Sequence, residues 1–403
     1  MNILIVSHQF YPLNSPRAFR WKSIYDDLKN KGHTVKIITG TFQEKSNDDI
    51  FFIGNQKSKT FINNVRTRSN QVDTNKMFIN LIYLILKKVY RLFYKTFAWP
   101  DYSMFWLYSV WKNRKHIDYQ YDVIISVSLP FSSHLAAYIL NKKNQKKWIM
   151  DIGDPFSLKE NAYENNKYLY KYLNFYIEKK FYNIAHQIIF THKESSDSHI
   201  KYFKINKEKI YIGSPISTFN DELFEASKSY KYNTLPIKLG YFGVLTKGVR
   251  SPENTLKFFK NSDFEFNWYT NPDSKLMVTQ NKINLDNHKF FDMVSRDEAL
   301  DKMTSSLHCL LSIGNLNPGQ LPSKIIEYIS TGKPVIHFAE IDDDPVIQIS
   351  KQFNNLIIVN TDSNLPELED KLNKIFLNID TFNKETFIKN YSAGAITSNL
   401  DIL

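Results

Sequence analysis

The apolar run Asn2-Ile3-Leu4-Ile5-Val6-Ser7 has the length of a buried strand, and Ala18, Trp21, Tyr25 and Leu28 then recur at helical spacing until Gly32 stops the helix. Thr34-Val35-Lys36-Ile37-Ile38-Thr39 follows as a second strand, so the chain opens on a βαβ unit. Residues 41–76 are polar, rich in Asn, Ser, Lys and Thr, and read as a loop-rich insertion with short strands. The alternation then resumes, with strands at 122–127, 146–152, 186–191 and 209–213, a helix at 132–143 and a long helix at 161–182. Apolar runs joined by helical segments predict a parallel sheet covered by helices.

A boundary follows Ser214-Pro215, and the polar segment 218–236 reads as a linker with one helical turn. A second alternation begins there: strands at 237–242, 264–269, 289–293, 307–313, 334–338 and 355–359, with helices near 252–261, 295–305, 321–331, 342–352 and 364–377. The expected fold is therefore α/β, with two Rossmann-like doubly wound domains at 1–217 and 236–382 and a C-terminal segment at 383–403. Ligands of such sheets bind beyond the carboxyl ends of the strands, so the facing edges are expected to frame an interdomain cleft.

Composition narrows this picture. The 403 residues carry 12 glycines and 23% charged residues, which argues for a globular protein rather than a disordered or collagen-like one. The single cysteine, Cys309, lies inside an apolar strand pattern and reads as a core side chain. No disulfide framework can form, which suits a cytoplasm. The amino terminus lacks the basic and long apolar regions of a secretory signal and is expected to be the first strand. The longest apolar run, residues 77–86, is about half of the roughly 20 residues needed to span a bilayer.

A net charge of +11 asks for a partner. Lys87, Lys88, Arg91, Lys95, Lys112, Arg114 and Lys115 are mixed with Tyr90, Phe93, Tyr94, Phe97, Trp99, Phe105, Trp106 and Trp111. Such a mixture near 77–115 suits an anionic membrane surface, which would place the protein peripherally at the inner face of a plasma membrane. A nucleic-acid groove uses similar residues but is the less favoured partner. A solvated face over a core helix is the other reading.

No G-x-G-x-x-G follows the first strand and no G-x-x-x-x-G-K-[ST] occurs, so dinucleotide redox chemistry and P-loop phosphotransfer are poorly supported. The most informative segment is 319–336, where Pro322 precedes a short helix, Lys324 and Glu327 share one face three residues apart, and Gly332 ends it. A cation in a first helical turn opposes the helix dipole, which an anion bound alongside would offset. The ten histidines form no H-x-x-x-H pair and no carboxylate cluster has metal spacing, so no metal is expected.

The pattern P-S-K-x-x-E-Y-x-x-x-G-K-P-V at 322–335 resembles the C-terminal signature of family-4 retaining glycosyltransferases of the GT-B fold. The resemblance extends over 2–33, 100–156, 237–250 and 307–338, and it implies that the domain at 1–217 binds the acceptor, that the domain at 236–382 binds the nucleotide sugar, and that the segment 383–403 crosses back to the first domain. It implies that Lys324 and Arg250 neighbour the diphosphate of a nucleotide sugar, that Glu327 accepts hydrogen bonds from the ribose, and that Gly243 approaches the diphosphate, with Lys247 the other member of a basic pair. It implies further that Ser15 and the backbone near Pro16, after the first strand, lie by the donor phosphate, and that Arg17 and Arg20 bind phosphate or brace the helix, bracing being at least as fitting for Arg20. Asp154, in a D-x-x-D-P-F segment resembling D-x-x-D-x-W, would orient the attacking hydroxyl or take its proton late. A capping role is its alternative. His134, in S-x-P-x-S-S-H, would contact acceptor or donor, or make an internal bond. Two departures stand out. Gly319 occupies the place where many relatives carry the first acid of E-x₇-E, and the R-x₄-K spacing is absent around Arg250.

The expected activity is thus metal-independent, retaining transfer of a sugar from a nucleoside-diphosphate donor, most simply a UDP-sugar, to a glycan or polyprenyl-diphosphate-linked acceptor. The donor is a co-substrate and no cofactor is needed. The alternatives are a non-hydrolysing nucleotide-sugar 2-epimerase and a catalytically inactive membrane-associated binding protein of the same fold.

Overall fold

Strands form where apolar residues run continuously, because a parallel sheet covered on both faces buries every side chain of its central strands. The computed structural model describes residues 1–13, 15–42, 48–54, 96–117, 119–159, 163–230, 232, 234–281, 284–316, 321–322, 324–378 and 382–402. Most of the polar insertion and the first part of the basic aromatic segment, to residue 95, lie outside them, as does Gly319.

The chain divides into two units, the first comprising Met1–Gly213 with Thr397–Leu403 and the second Ser214–Ile396. In the first, β1 (Asn2–Val6), β2 (Thr34–Thr39), β3 (Ile50–Phe52), β4 (Val123–Val127), β5 (Lys147–Ile152), β6 (Gln187–Phe190) and β7 (Ile210–Ile212) form one parallel sheet ordered β3-β2-β1-β4-β5-β6-β7. Its connecting helices are α1 (Pro16–Asn30), α2 (Met104–Asn113), α3 (Ser132–Asn141), α4 (Lys167–Ile184) and α5 (Lys193–Phe203). The order reverses between β1 and β4, so the loops after these two strands diverge at the carboxyl edge and leave a crevice. All five residues of β4 are buried, and Trp148 and Met150 of β5 pack with Phe131, Phe181 and Phe190. Each such side chain contributes roughly 1.5–3 kcal/mol by leaving water.

The second unit repeats the plan with β8 (Lys238–Phe242), β9 (Glu265–Tyr269), β10 (His288–Phe291), β11 (Cys309–Ile313), β12 (Val335–Phe338) and β13 (Leu356–Val359), ordered β10-β9-β8-β11-β12-β13 and again parallel. Its helices are α6 (Asp221–Lys228), α7 (Glu253–Phe258), α8 (Pro272–Thr279), α9 (Arg296–Ser305), α10 (Ile325–Ser330), α11 (Val346–Ser350), α12 (Leu365–Leu377), α13 (Lys384–Tyr391) and α14 (Ala393–Thr397). The alternation of β11 sends Cys309, Leu311 and Ile313 into the core on one face and Leu310 into the core on the other. The switch point here lies between β8 and β11. Phe387 and Tyr391 of α13 join the second unit's core, whereas Thr397–Leu403 pack with the first unit.

Two helices escape the apolar pattern. The buried face of α5 is Ser195, Ser196, His199 and Phe203, so its periodicity is one of small polar residues. Helix α8 is announced instead by its cap, with Asn271 accepting from Ser274 N at 2.9 Å and Pro272 in the first turn. Helix α10 is shorter than the expected 321–331: it starts at Ile325, and Lys324 is its N-cap residue rather than part of its first turn.

Candidate active site

The second sheet carries the denser set of expected residues at its switch point. The loop after β8 passes Gly243, whose carbonyl accepts from Thr270 Oγ1 at 2.6 Å, and then folds into a tight turn in which Thr246 and Arg250 exchange backbone hydrogen bonds. Gly248 takes φ +76° there, and Lys247 stands exposed at the tip. Across the crevice, the loop after β11 brings buried Asn315, whose Oδ1 accepts from Arg250 Nη2 at 2.9 Å, while Leu316 N donates to Val249 O at 2.7 Å. Two hydrogen bonds thus join the loops on either side of the strand reversal. Arg250 Nε is buried without a hydrogen-bond partner, so its guanidinium retains a donor.

Helix α10 brings its own pair to the same edge. Glu327 receives Arg296 Nε at 2.7 Å on one oxygen and lies 3.4 Å from Lys324 Nζ on the other. The Glu327 side chain is largely buried and that of Lys324 partly exposed, which leaves the lysine free to turn to an anion. Arg296, at the start of α9, carries no motif of its own, and the sequence reading did not single it out. Tyr328 is the other residue missed. Its buried hydroxyl accepts from Phe242 N at 2.9 Å and donates to Phe242 O at 3.1 Å, fastening the helix of Lys324 and Glu327 to the strand end that precedes Gly243.

In the first unit, Ser15 caps α1 by accepting from Ala18 N at 3.2 Å. Arg17 pairs with Asp154 at 3.3 Å, a contact between two expected site residues that the sequence placed in separate roles. Asp154 is partly exposed, so the pair is worth about 0–1 kcal/mol. A side chain on Gly153 would meet Arg17 Nη2 at 2.0 Å, so the guanidinium would have to move aside. Arg17 Nη1 is buried and unpartnered. Arg20 braces its helix, donating to Gly213 O at 3.1 Å and lying 3.8 Å from Asp151, whose other oxygen accepts from Trp21 Nε1 at 2.7 Å. Asp151 is therefore structural. The Asp154 loop is fastened in turn by buried Glu178, which accepts from Ser157 N at 3.1 Å and from the Ser157 and Tyr182 hydroxyls.

His134 is fully buried and makes an internal bond, Nδ1 to Ser126 Oγ at 2.7 Å. That hydroxyl also accepts from Trp148 Nε1 at 2.8 Å, and the other ring nitrogen, Nε2, is buried without a partner. Burial first, and the Arg17 cation second, push the imidazole down to about 3, so it is neutral at ordinary pH. The N-terminus of α3, on which His134 sits, is closed by buried Asp101, which accepts from Ser132 N and Oγ, both at 2.8 Å. His8 N donates to Ser133 Oγ at 3.1 Å and so links the loop after β1 to the first turn of α3.

Among the described residues no group of three or more His, Cys, Asp or Glu side chains is placed to hold a metal, and no helix is long and apolar enough to cross a membrane.

No family model matches the sequence, and no curated protein matches it significantly. Solved structures do. Sucrose-phosphate synthase from Thermosynechococcus elongatus is similar with a TM-score of 0.61 at 10% identity, over 98% of this chain and 96% of that one. TarM gives 0.59 at 11% identity, over 98% and 97%. An alpha-glucosyltransferase in complex with UDP and a 13-mer DNA gives 0.57 at 11% identity, over 100% and 99%. At such identities the likeness is one of fold, and the fold of this chain, with parallel sheets of seven and six strands flanked by helices, is that of GT-B glycosyltransferases.

Proposed function

We propose that this protein is a retaining, metal-independent glycosyltransferase that moves a sugar from a nucleoside-diphosphate donor, most simply a UDP-sugar, to a glycan or polyprenyl-diphosphate-linked acceptor. A single observation carries the reading: the loops on the two sides of the second sheet's strand reversal are bonded through Arg250 and Asn315, and Tyr328 fastens the helix of Lys324 and Glu327 to that place. Arg250, Lys324 and exposed Lys247 belong to the loops and helix at this strand reversal, and crevices at strand reversals are where sheets of this kind bind nucleotides. A neighbouring fold occupied by UDP supports the same choice of donor.

In the reaction the bond between the sugar's anomeric carbon and the diphosphate oxygen breaks as the acceptor oxygen bonds to that carbon from the same face. Negative charge grows on the leaving diphosphate, and Lys324 and Arg250 stabilise it. The acceptor proton passes to the leaving phosphate oxygen or to Asp154, so no protein nucleophile is required. Glu327, held between Arg296 and Lys324, keeps lone pairs for the ribose hydroxyls. Ser15, Arg17 and His134 are assigned to the substrates from the first unit, Arg17 through its unpartnered Nη1 and His134 through its unpartnered Nε2. A lipid-linked acceptor would bring the enzyme to an anionic membrane surface.

The test is a thermal-shift screen across UDP-, GDP- and CDP-sugars, since a ligand of the native state raises stability by RT ln(1 + [L]/Kd). At least one donor is expected to raise the midpoint, and Glu327→Ala and Lys324→Ala are each expected to weaken its binding about tenfold or more. Equal binding by wild type and both variants would remove the proposed donor site. Conversion of a donor to its 2-epimer without acceptor would replace transfer by epimerisation.

A further inference from the structure

Helix α4 presents a face to solvent that none of the described residues covers. Tyr168 is 100% exposed, Tyr172 85%, Tyr176 64% and Leu169 55%, and Leu173 borders them. The three tyrosines are spaced four residues apart, so they form one ridge along the helix. Lys167, Lys171 and Lys179 are exposed beside it. The only acidic residue of α4, Glu178, points inward and is held by Ser157 and Tyr182. The charges that α4 itself exposes are therefore all positive, and Glu164 just before it is paired with Lys159 at 2.7 Å. The helix is also fixed to the described part of the basic aromatic segment, because Tyr170 Oη donates to Phe97 O at 2.9 Å and Trp99 Nε1 to Asn174 Oδ1 at 3.0 Å. Phe97 is itself 53% exposed.

We propose that this face of α4 docks the protein on an anionic lipid bilayer. A tyrosine ring with a wet hydroxyl suits the boundary between acyl chains and headgroups, and lysines with long apolar stems reach the lipid phosphates around it. Other occupants fit less well. A second copy meeting this face symmetrically would set its lysines against the same lysines. Single-stranded nucleic acid is held in a groove, and these side chains stand clear of the surface. The proposal deepens the reading of a lipid-linked acceptor but is tested without it.

The experiment is flotation of the full chain with vesicles of phosphatidylglycerol and phosphatidylcholine, compared with phosphatidylcholine alone. Wild type is expected on the anionic vesicles, less so as salt rises. Tyr168→Ser/Tyr172→Ser/Tyr176→Ser is expected to lower the bound fraction's partition coefficient by about tenfold or more, and Lys167→Glu/Lys171→Glu/Lys179→Glu to abolish the preference for anionic lipid. Both variants should keep the wild-type melting midpoint, because the altered side chains are exposed. Partitioning of the tyrosine variant equal to wild type would overturn the proposal. So would wild type that ignores anionic vesicles, or a dimer in sedimentation velocity that only the tyrosine variant dissolves. Donor binding measured on the same variants should be unchanged, so failure here is separable from failure of the donor site.

Discussion

Lys333 is fully buried, an uncommon place for an ammonium group. Its Nζ donates to Leu307 O at 2.8 Å and lies 3.7 Å from the Tyr230 ring centre and 4.8 Å from that of Tyr232. Burial pushes the amine down to about 7, although the two ring faces favour its charged form. The unfolded chain, with an ordinary lysine, holds its proton to higher pH. Between about pH 7 and 10 the unfolded state therefore binds more protons, and this group makes stability rise with pH across that window. We expect Lys333→Met to remove that rise, on the order of a few kcal/mol when urea unfolding of variant and wild type is compared at pH 6.5 and pH 9.5. An identical pH profile in the variant would show that Lys333 does not titrate there. Lys333 sits in the motif G-K-P-V that was visible in the sequence, but its burial was not, because a lysine in a helix-to-strand turn ordinarily faces water. Arg296 was illegible for a similar reason: only the fold brings residue 296 beside residue 327.

At the scale of elements, the strands were legible because the central strands are mostly apolar, broken only by single polar residues such as Ser126, Asp151, Ser312 and His337, and the helices were legible wherever their buried face is apolar. Helix α5 was not, since Ser195, Ser196 and His199 make its inner face. The register between α10 and β8 could not be read either, because it rests on a tyrosine hydroxyl and a backbone amide separated by 86 residues. Replacing Tyr328 by Phe removes both hydrogen bonds to Phe242 and leaves a buried peptide group unsatisfied, which should cost about 1–3 kcal/mol in urea unfolding. If the bond also aims Lys324 and Glu327, the variant should lose donor affinity at temperatures where it remains folded. A variant that loses stability but binds the donor like wild type would confine Tyr328 to packing.

For the whole molecule, sequence alone led to two doubly wound sheets, and the order of strands in each then identified the crevice where the expected site residues of that unit gather. The pairing of Arg17 with Asp154 was beyond the sequence, because it joins the loop after β1 to the loop after β5. The first unit is discontinuous. Thr397 is bonded to Asp27 and Lys31, Asn399 O accepts from Gln187 at 2.9 Å, and Asp401 reaches Lys147 at 3.2 Å. Ending the chain after Ile396 should destabilise the first unit by roughly 1–3 kcal/mol, seen as faster amide exchange in β5 and β6 with the second unit's strands unchanged. Uniform exchange across both units would contradict this. The same arrangement imposes an order on birth. A ribosome releases β1 and α1 first, yet Asp27 and Lys31 meet Thr397 only after the second unit has been translated, so the first unit is completed by residues made after its neighbour.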